Sequence, residues 1–140
     1  MKEWQLFKTI DFANEGEQLE FTGLDFTEIF IITTGLCNPS ESTASGMNII
    51  INNNIVAQMS TQPLSGSSER NQQLLLKYNG LFWEQSLTPQ SNNASYYISY
   101  ANKQAPYSAR LNVGKCETLK FAQHAAAYPI QSGTVEIYAR

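Results

Sequence analysis

Residues able to do covalent or metal chemistry are few in this chain of 140 residues. His124 is its one histidine, which rules out a multi-histidine metal site and leaves any nucleophile with an imidazole base a single partner. Cys37 and Cys116 stand outside any CxxC or Cys/His spacing, so no zinc or redox motif is present. Two separate buried thiols are expected rather than a disulfide. A Cys37 or Cys116 thiol beside His124 is the nucleophile and base pair the composition permits, but neither cysteine lies in a nucleophile motif. No glycine-rich phosphate loop occurs. The chain has 12 acidic residues, from which a carboxylate pair for glycoside hydrolysis could be drawn. Most lie in the first 45 residues at the strand-edge and turn spacings of a solvated face. The resulting expectation is a protein that is not an enzyme and needs neither cofactor nor metal.

Aromatic side chains are the better binding candidates. Phe82, Trp83, Tyr96, Tyr97, Tyr100 and Tyr107 fall among stretches rich in Ser, Asn and Gln. An aromatic platform beside amides and hydroxyls is a common way to hold a sugar ring. Trp83, Phe82, Tyr97 and Tyr100 are therefore the candidate ligand contacts, with a glycan as the candidate ligand. Packing competes for the same residues, because alternation turns Trp83 toward a core and sends Tyr96, Ile98 and Tyr100 to one side. Phe82 and Tyr97 are the ones expected to be exposed.

The elements that must position these groups read as strands. The longest β-prone run is Leu24 to Thr34, and from Ile29 to Ile32 it is apolar on both faces. A strand with one wet face alternates, so this one should sit centrally and be covered on both sides, by protein or by a neighbouring subunit. Trp4, Leu6 and Ile10, and then Leu19 and Phe21, alternate with polar residues as half-buried strands do. Met47 to Ile51 and Ile55 to Met59 flank Asn52-Asn53-Asn54. A three-residue loop there would set Ile51 against Ile55, Ile49 against Ala57 and Met47 against Met59, with Asn48 and Gln58 on the other face. Tyr78-Asn79-Gly80-Leu81 carries the Asn-Gly hairpin signal, which predicts Tyr78 against Leu81 and Leu76 against Trp83. Further strands are expected at Tyr96 to Tyr100, Thr118 to Ala122 and Thr134 to Tyr138, with a short one at Ala109 to Val113. Chain is expected to leave the sheet after Gly35 for a polar loop, and Ala125 to Ala127 is the one helix-friendly spot.

About ten short strands, polar loops and almost no helical periodicity predict an all-β, antiparallel β-sandwich of jelly-roll type, as a single domain over residues 1–140. A chain of this length buries roughly 70% of its unfolded surface, enough for a core without staples. The start Met1-Lys2-Glu3-Trp4 lacks the apolar core of a signal peptide, and no apolar run approaches the roughly 20 residues of a membrane span. The expectation is a chain made in a cytoplasm, without membrane insertion.

Formal net charge is −3, which argues against nucleic acid as a partner. Its distribution is uneven: residues 1–45 carry eight acidic and two basic residues, and the remainder four acidic and seven basic. Either acidic and basic edges of successive subunits meet head to tail, or the charges mix within one sandwich, and the second reading is preferred.

The C-terminus adds a resemblance. Leu119-Lys120-Phe121-Ala122, a short spacer, and then Gln131 to Arg140 with Gly133, Thr134, Ile137, Tyr138 and Arg140 resemble the ending of small virion proteins of tailed bacteriophages, which close on a Gly-Ser/Thr-x-x-Ile/Leu-Tyr-Gly-Arg strand. Ala139 stands where glycine is usual. The opening Trp4 strand and Leu19 to Leu24 leading into Glu28 to Ile31 resemble the same proteins. The resemblance implies a β-sandwich component of the virion, in the tail tip or fibre or decorating the head (capsid), often a homo-oligomer. Its partners would be copies of itself, other virion proteins and, for a receptor-binding role, a host glycan. A stand-alone carbohydrate-binding module is the rival expectation.

Overall fold

Alternation along the strands decides which side chains turn inward, and two inward-facing sets close on one core. The computed structural model describes residues 2–14, 16–37, 45–61, 71–88, 113–123 and 129–140. Among them are nine strands: β1 (Gln5–Asp11), β2 (Glu20–Phe21), β3 (Glu28–Cys37), β4 (Ser45–Ile51), β5 (Asn54–Thr61), β6 (Gln72–Tyr78), β7 (Trp83–Thr88), β8 (Leu119–Gln123) and β9 (Ser132–Ala139). They form two antiparallel sheets, one of order β1-β9-β3-β6-β7 and one of order β2-β8-β4-β5. Ile10, Ile29, Ile31, Leu74, Leu76, Val135 and Ile137 of the first meet Phe21, Met47, Ile49, Ile51, Leu119 and Phe121 of the second in a continuous buried cluster. The fold is an all-β sandwich. No helix among the described residues is long and apolar enough to cross a membrane.

The apolar run does occupy the middle of its sheet, as β3 between β9 and β6. Its bounds differ from the expectation. Leu24 and Phe26 bond instead to the 116–117 backbone, through Leu24 N to Glu117 O and a reciprocal pair between Phe26 and Cys116. At the other end the strand runs on through Gly35 to Cys37, because Gly35 takes a φ of +66° within an irregularity of the β3–β9 register and pairing resumes at Cys37 with Ser132. Gly133 sits in the same irregularity with a φ of +102°, and a Cβ there would lie 2.6 Å from the Gly35 carbonyl. Glycine at this point of the C-terminal strand is thus a requirement of close backbone approach.

Both hairpins correct their expected registers. Asn52 and Asn53 have φ of 49° and 66°, a two-residue turn with both central residues left-handed, instead of the three-residue loop. Met47 does face Met59 and Ile49 does face Ala57, but Ile50 pairs with Ile55 and Ile51 with Asn54. A bulge at Val56 takes up the extra residue, so the shorter turn does not mix the faces. Asn48 and Gln58 pair on the face opposite the core, where the Gln58 amide donates to Asn48.

In the Asn79-Gly80 hairpin the register is shifted by two, with Tyr78 opposite Trp83, Lys77 opposite Glu84 and Leu76 opposite Gln85. The Asn79 carboxamide oxygen accepts from Leu81 N and Phe82 N, both at 2.9 Å, and Asn79 N donates to Phe82 O. That side-chain bonding holds a four-residue connection open. An even shift keeps every residue on its face, so Leu76 and Trp83 still point inward, while Leu81 is left in solvent.

Asn52 also ties the sandwich end together. Its amide donates to Val113 O and Lys115 O at 2.7 and 2.6 Å, and its oxygen accepts from Glu117 N and Thr118 N at 3.0 and 3.1 Å. One side chain thereby supplies partners to four backbone groups of the segment leading into β8.

Candidate functional site

Cys37 and Cys116 are both free and buried. Burial pushes the Cys116 thiol up to about 12, and its Sγ lies 3.5 Å from the Thr118 carbonyl. Such a thiol is poorly suited to attack, since the thiolate is the nucleophile. His124 lies outside the described residues, as do Tyr96, Tyr97, Tyr100 and Tyr107. Among the described residues no group of three or more His, Cys, Asp or Glu side chains could hold a metal ion.

Of the aromatic candidates, Trp83 is corrected. It is 1% exposed, its indole N–H donates to Gly114 O at 2.9 Å, and its ring lies 5.6 Å from that of Tyr78. No ligand reaches a ring so enclosed, and its inward register is the reason. Phe82 is half-buried within the β6–β7 turn. The structure does not bring it together with Trp83 on an open platform.

A different set of aromatics is gathered on the outer face of the five-stranded sheet. The registers place Leu6, Tyr138, Phe30, Leu75 and Ser86 in one row across β1, β9, β3, β6 and β7. Trp4 lies beside it, its ring 6.3 Å from Phe30, and Phe30 is 6.5 Å from Tyr138. With Ile32, Leu75 and Tyr138 these rings line a shallow hollow of about 410 Å³. Leu6 is 54% and Leu75 37% exposed. Apolar area of this kind, rimmed by polar residues, is a candidate interaction surface.

The rim is ordered too. On one side, Arg140, Glu28, Lys77 and Glu84 form a parallel row across β9, β3, β6 and β7. Arg140 belongs to it because its N–H donates to Glu28 O while Glu28 N donates to Arg140 O. Its guanidinium bonds the Glu28 carboxylate and stands 4.4 Å over the Trp4 ring. Lys77 and Glu84 make no ion pair with any described residue. On the other side run Thr9, Glu136, Ile32, Gln73 and Thr88. There the Tyr138 hydroxyl donates to Glu136 at 2.8 Å, and this bond to a carboxylate pushes its pKa above the ordinary phenol value.

Both ion pairs of the described residues, Arg140 with Glu28 and Lys115 with Asp25, join a basic residue of the second half to an acid of the first. At these points the two charge regions mix within the sandwich.

Reasoning from loops missed Trp4, Phe30 and Tyr138. The signal was the β3 run itself: a strand apolar on both faces announces a second apolar surface, and Phe30 and Ile32 are its centre. The hollow is lined by rings and aliphatic side chains, with Tyr138 the one titratable group among its lining residues. Compared with models of protein families, with curated proteins and with solved structures, the chain matches none.

Proposed function

We propose that this chain is a non-enzymatic structural β-sandwich of a tailed-bacteriophage virion, a tail-tip or fibre component that assembles through the outer face of its five-stranded sheet. The observation that carries the reading is the row Leu6, Tyr138, Phe30 and Leu75, an apolar surface on the sheet that no layer among the described residues covers. The strand order supports it: β1-β9-β3-β6 opposite β2-β8-β4-β5, with most connections crossing between sheets, is in keeping with a jelly-roll winding, a common architecture of capsid proteins. The C-terminal ending supports it as well, since Gly133 answers a backbone need while Tyr138 and Arg140 project onto the proposed assembly face.

A carbohydrate-binding role is the second reading, favoured by the cluster of mutually tilted Trp4, Phe30 and Tyr138 rings beside Arg140 and Glu136. Solution mass by light scattering separates the two. The assembly reading expects an oligomer for the natural chain and a folded monomer for Leu75→Arg. Equal masses for both proteins would overturn it, and loss of glycan binding in a folded Trp4→Ala variant would then put the sugar reading in its place.

A further inference from the structure

Charge along the rim says how a second copy would sit. Taken from β9 to β7, the row reads Arg140, Glu28, Lys77, Glu84, which is plus, minus, plus, minus. Resting on the reading of this face as an assembly surface, we infer that its occupant is a second copy of the chain, related by a two-fold axis parallel to the strands and passing between β3 and β6. Glu28 then meets the partner's Lys77, and Arg140 meets the partner's Glu84.

A two-fold axis along the strands reverses the order of strands and keeps each row facing its own copy. With the axis between β3 and β6, β9 lies over β7 and β3 over β6. An even, alternating row is self-complementary under that operation: every plus meets a minus, four times over in the isologous pair. The apolar row follows the same operation over four of its five strands, with Phe30 over the partner's Leu75 and Tyr138 over the partner's Ser86, while Leu6 on β1 lies beyond the partner's β7. In the third row Glu136 faces the partner's Thr88 and Ile32 faces the partner's Gln73, so no like charges are opposed.

The alternative face-to-face axis, across the strands through Phe30, fails on desolvation. It would set Arg140 over Glu136 but Glu28 over Ile32, Lys77 over Gln73 and Glu84 over Thr88, so that Lys77 and Glu84, which make no ion pair with any described residue, leave water with no counter-charge facing them. Strands related by an axis along their own direction also lie nearly aligned, which is the ordinary way two sheets pack. Within one chain Glu28 is shared with Arg140, whereas Lys77 and Glu84 have no ionic partner among the described residues. The partner copy supplies it.

Charge reversal tests the register. Lys77→Glu places two acids together at each of its contacts, Glu28→Lys two bases, and each variant alone should dimerise at least about tenfold more weakly than the natural chain. Mixed one to one, the two should form a heterodimer of natural mass, because every contact is again plus against minus. Lys77→Glu mixed with Glu84→Lys balances net charge equally well yet leaves two like-charge contacts, and it should stay weak. Arg140→Glu mixed with Glu84→Lys is a second complementary pair, which decides the matter if Glu28→Lys does not fold. Restored mass in the complementary mixtures alone is the expected result. If the natural chain dimerises and Leu75→Arg abolishes it, yet neither complementary mixture regains the dimer, the two-fold arrangement is overturned while the assembly face stands. A natural chain whose mass is that of Leu75→Arg overturns both.

Discussion

Ile31 and Ile32 are the same residue type one peptide apart on β3, and they live in different surroundings. Ile31, with Ile29 and Thr33, turns inward and is fully buried by the second sheet. Ile32 and Phe30 turn outward and are half-buried, with the outer hollow against them. The difference teaches that residue type sets what a face can bury, while the opposing layer decides whether it does. The inner face has its layer in the same chain. The outer face has the composition of a covered surface and no cover within the described residues.

The comparison breaks most readily at Ile31. Ile31→Ala leaves a cavity among the closely packed side chains of both sheets and should cost about 2–5 kcal/mol, read as a lower denaturant midpoint with unchanged slope. Ile32→Ala measured on the dilute chain should cost less than about 1 kcal/mol. Similar losses at the two positions would mean that the outer face is covered after all.

Hydrogen bonding at the sandwich end gives the next largest effect. Asn52→Ala removes partners from Val113, Lys115, Glu117 and Thr118 together and should cost about 1–3 kcal/mol. Asn52→Gly accepts the left-handed φ of 49° without strain yet loses the same bonds. If the bonds matter more than the backbone conformation, thermal unfolding of the glycine variant should fall nearly as far as that of the alanine variant.

Dryness of the inner side can be read from Cys116. Its thiol is pushed by burial from 9.0 to about 12 in the fold. The unfolded chain ionises first, so the folded state keeps its full advantage below about pH 9 and loses it as pH rises toward 12. At pH 10 the loss should be roughly 1–2 kcal/mol relative to neutral pH. A Cys116→Ala variant should show a shallower alkaline decline in stability; an unchanged decline would mean that Cys116 is not the group responsible.

How much of this could be read in the sequence follows from the range of each interaction. Alternation is local, so the strands, the central place of β3 and the inward faces of Met47, Ile49, Leu76 and Trp83 were legible. Registers depend on what turn side chains do. Asn79 widened one hairpin by accepting two backbone bonds, and the bulge at Val56 let a two-residue turn keep its faces, neither of which shows in a pattern of apolar residues. The outer apolar face was half legible. A doubly apolar β3 required a second surface, but the meeting of Trp4 and Tyr138 with Phe30 joins the first strand, the third and the last, and sequence spacing carries no trace of that.

The smallest stability effect is expected at Leu75, and it is the one that defines the outer face. Leu75 projects between Phe30 and Ser86 with more than a third of its surface in solvent, so in the dilute monomer Leu75→Ser gives up little burial. Its unfolding free energy should stay within about 0.5 kcal/mol of the natural chain. Concentration should separate the two proteins. Association stabilises only the folded state, so the melting temperature of the natural chain should climb as protein concentration rises, while that of Leu75→Ser should stay nearly level. A variant that melts lower at every concentration by the same amount would assign Leu75 to the fold of the single chain, and the contrast between the two faces of β3 would lose its meaning. A variant equal to the natural chain when dilute and behind it when concentrated locates the missing cover in a second molecule.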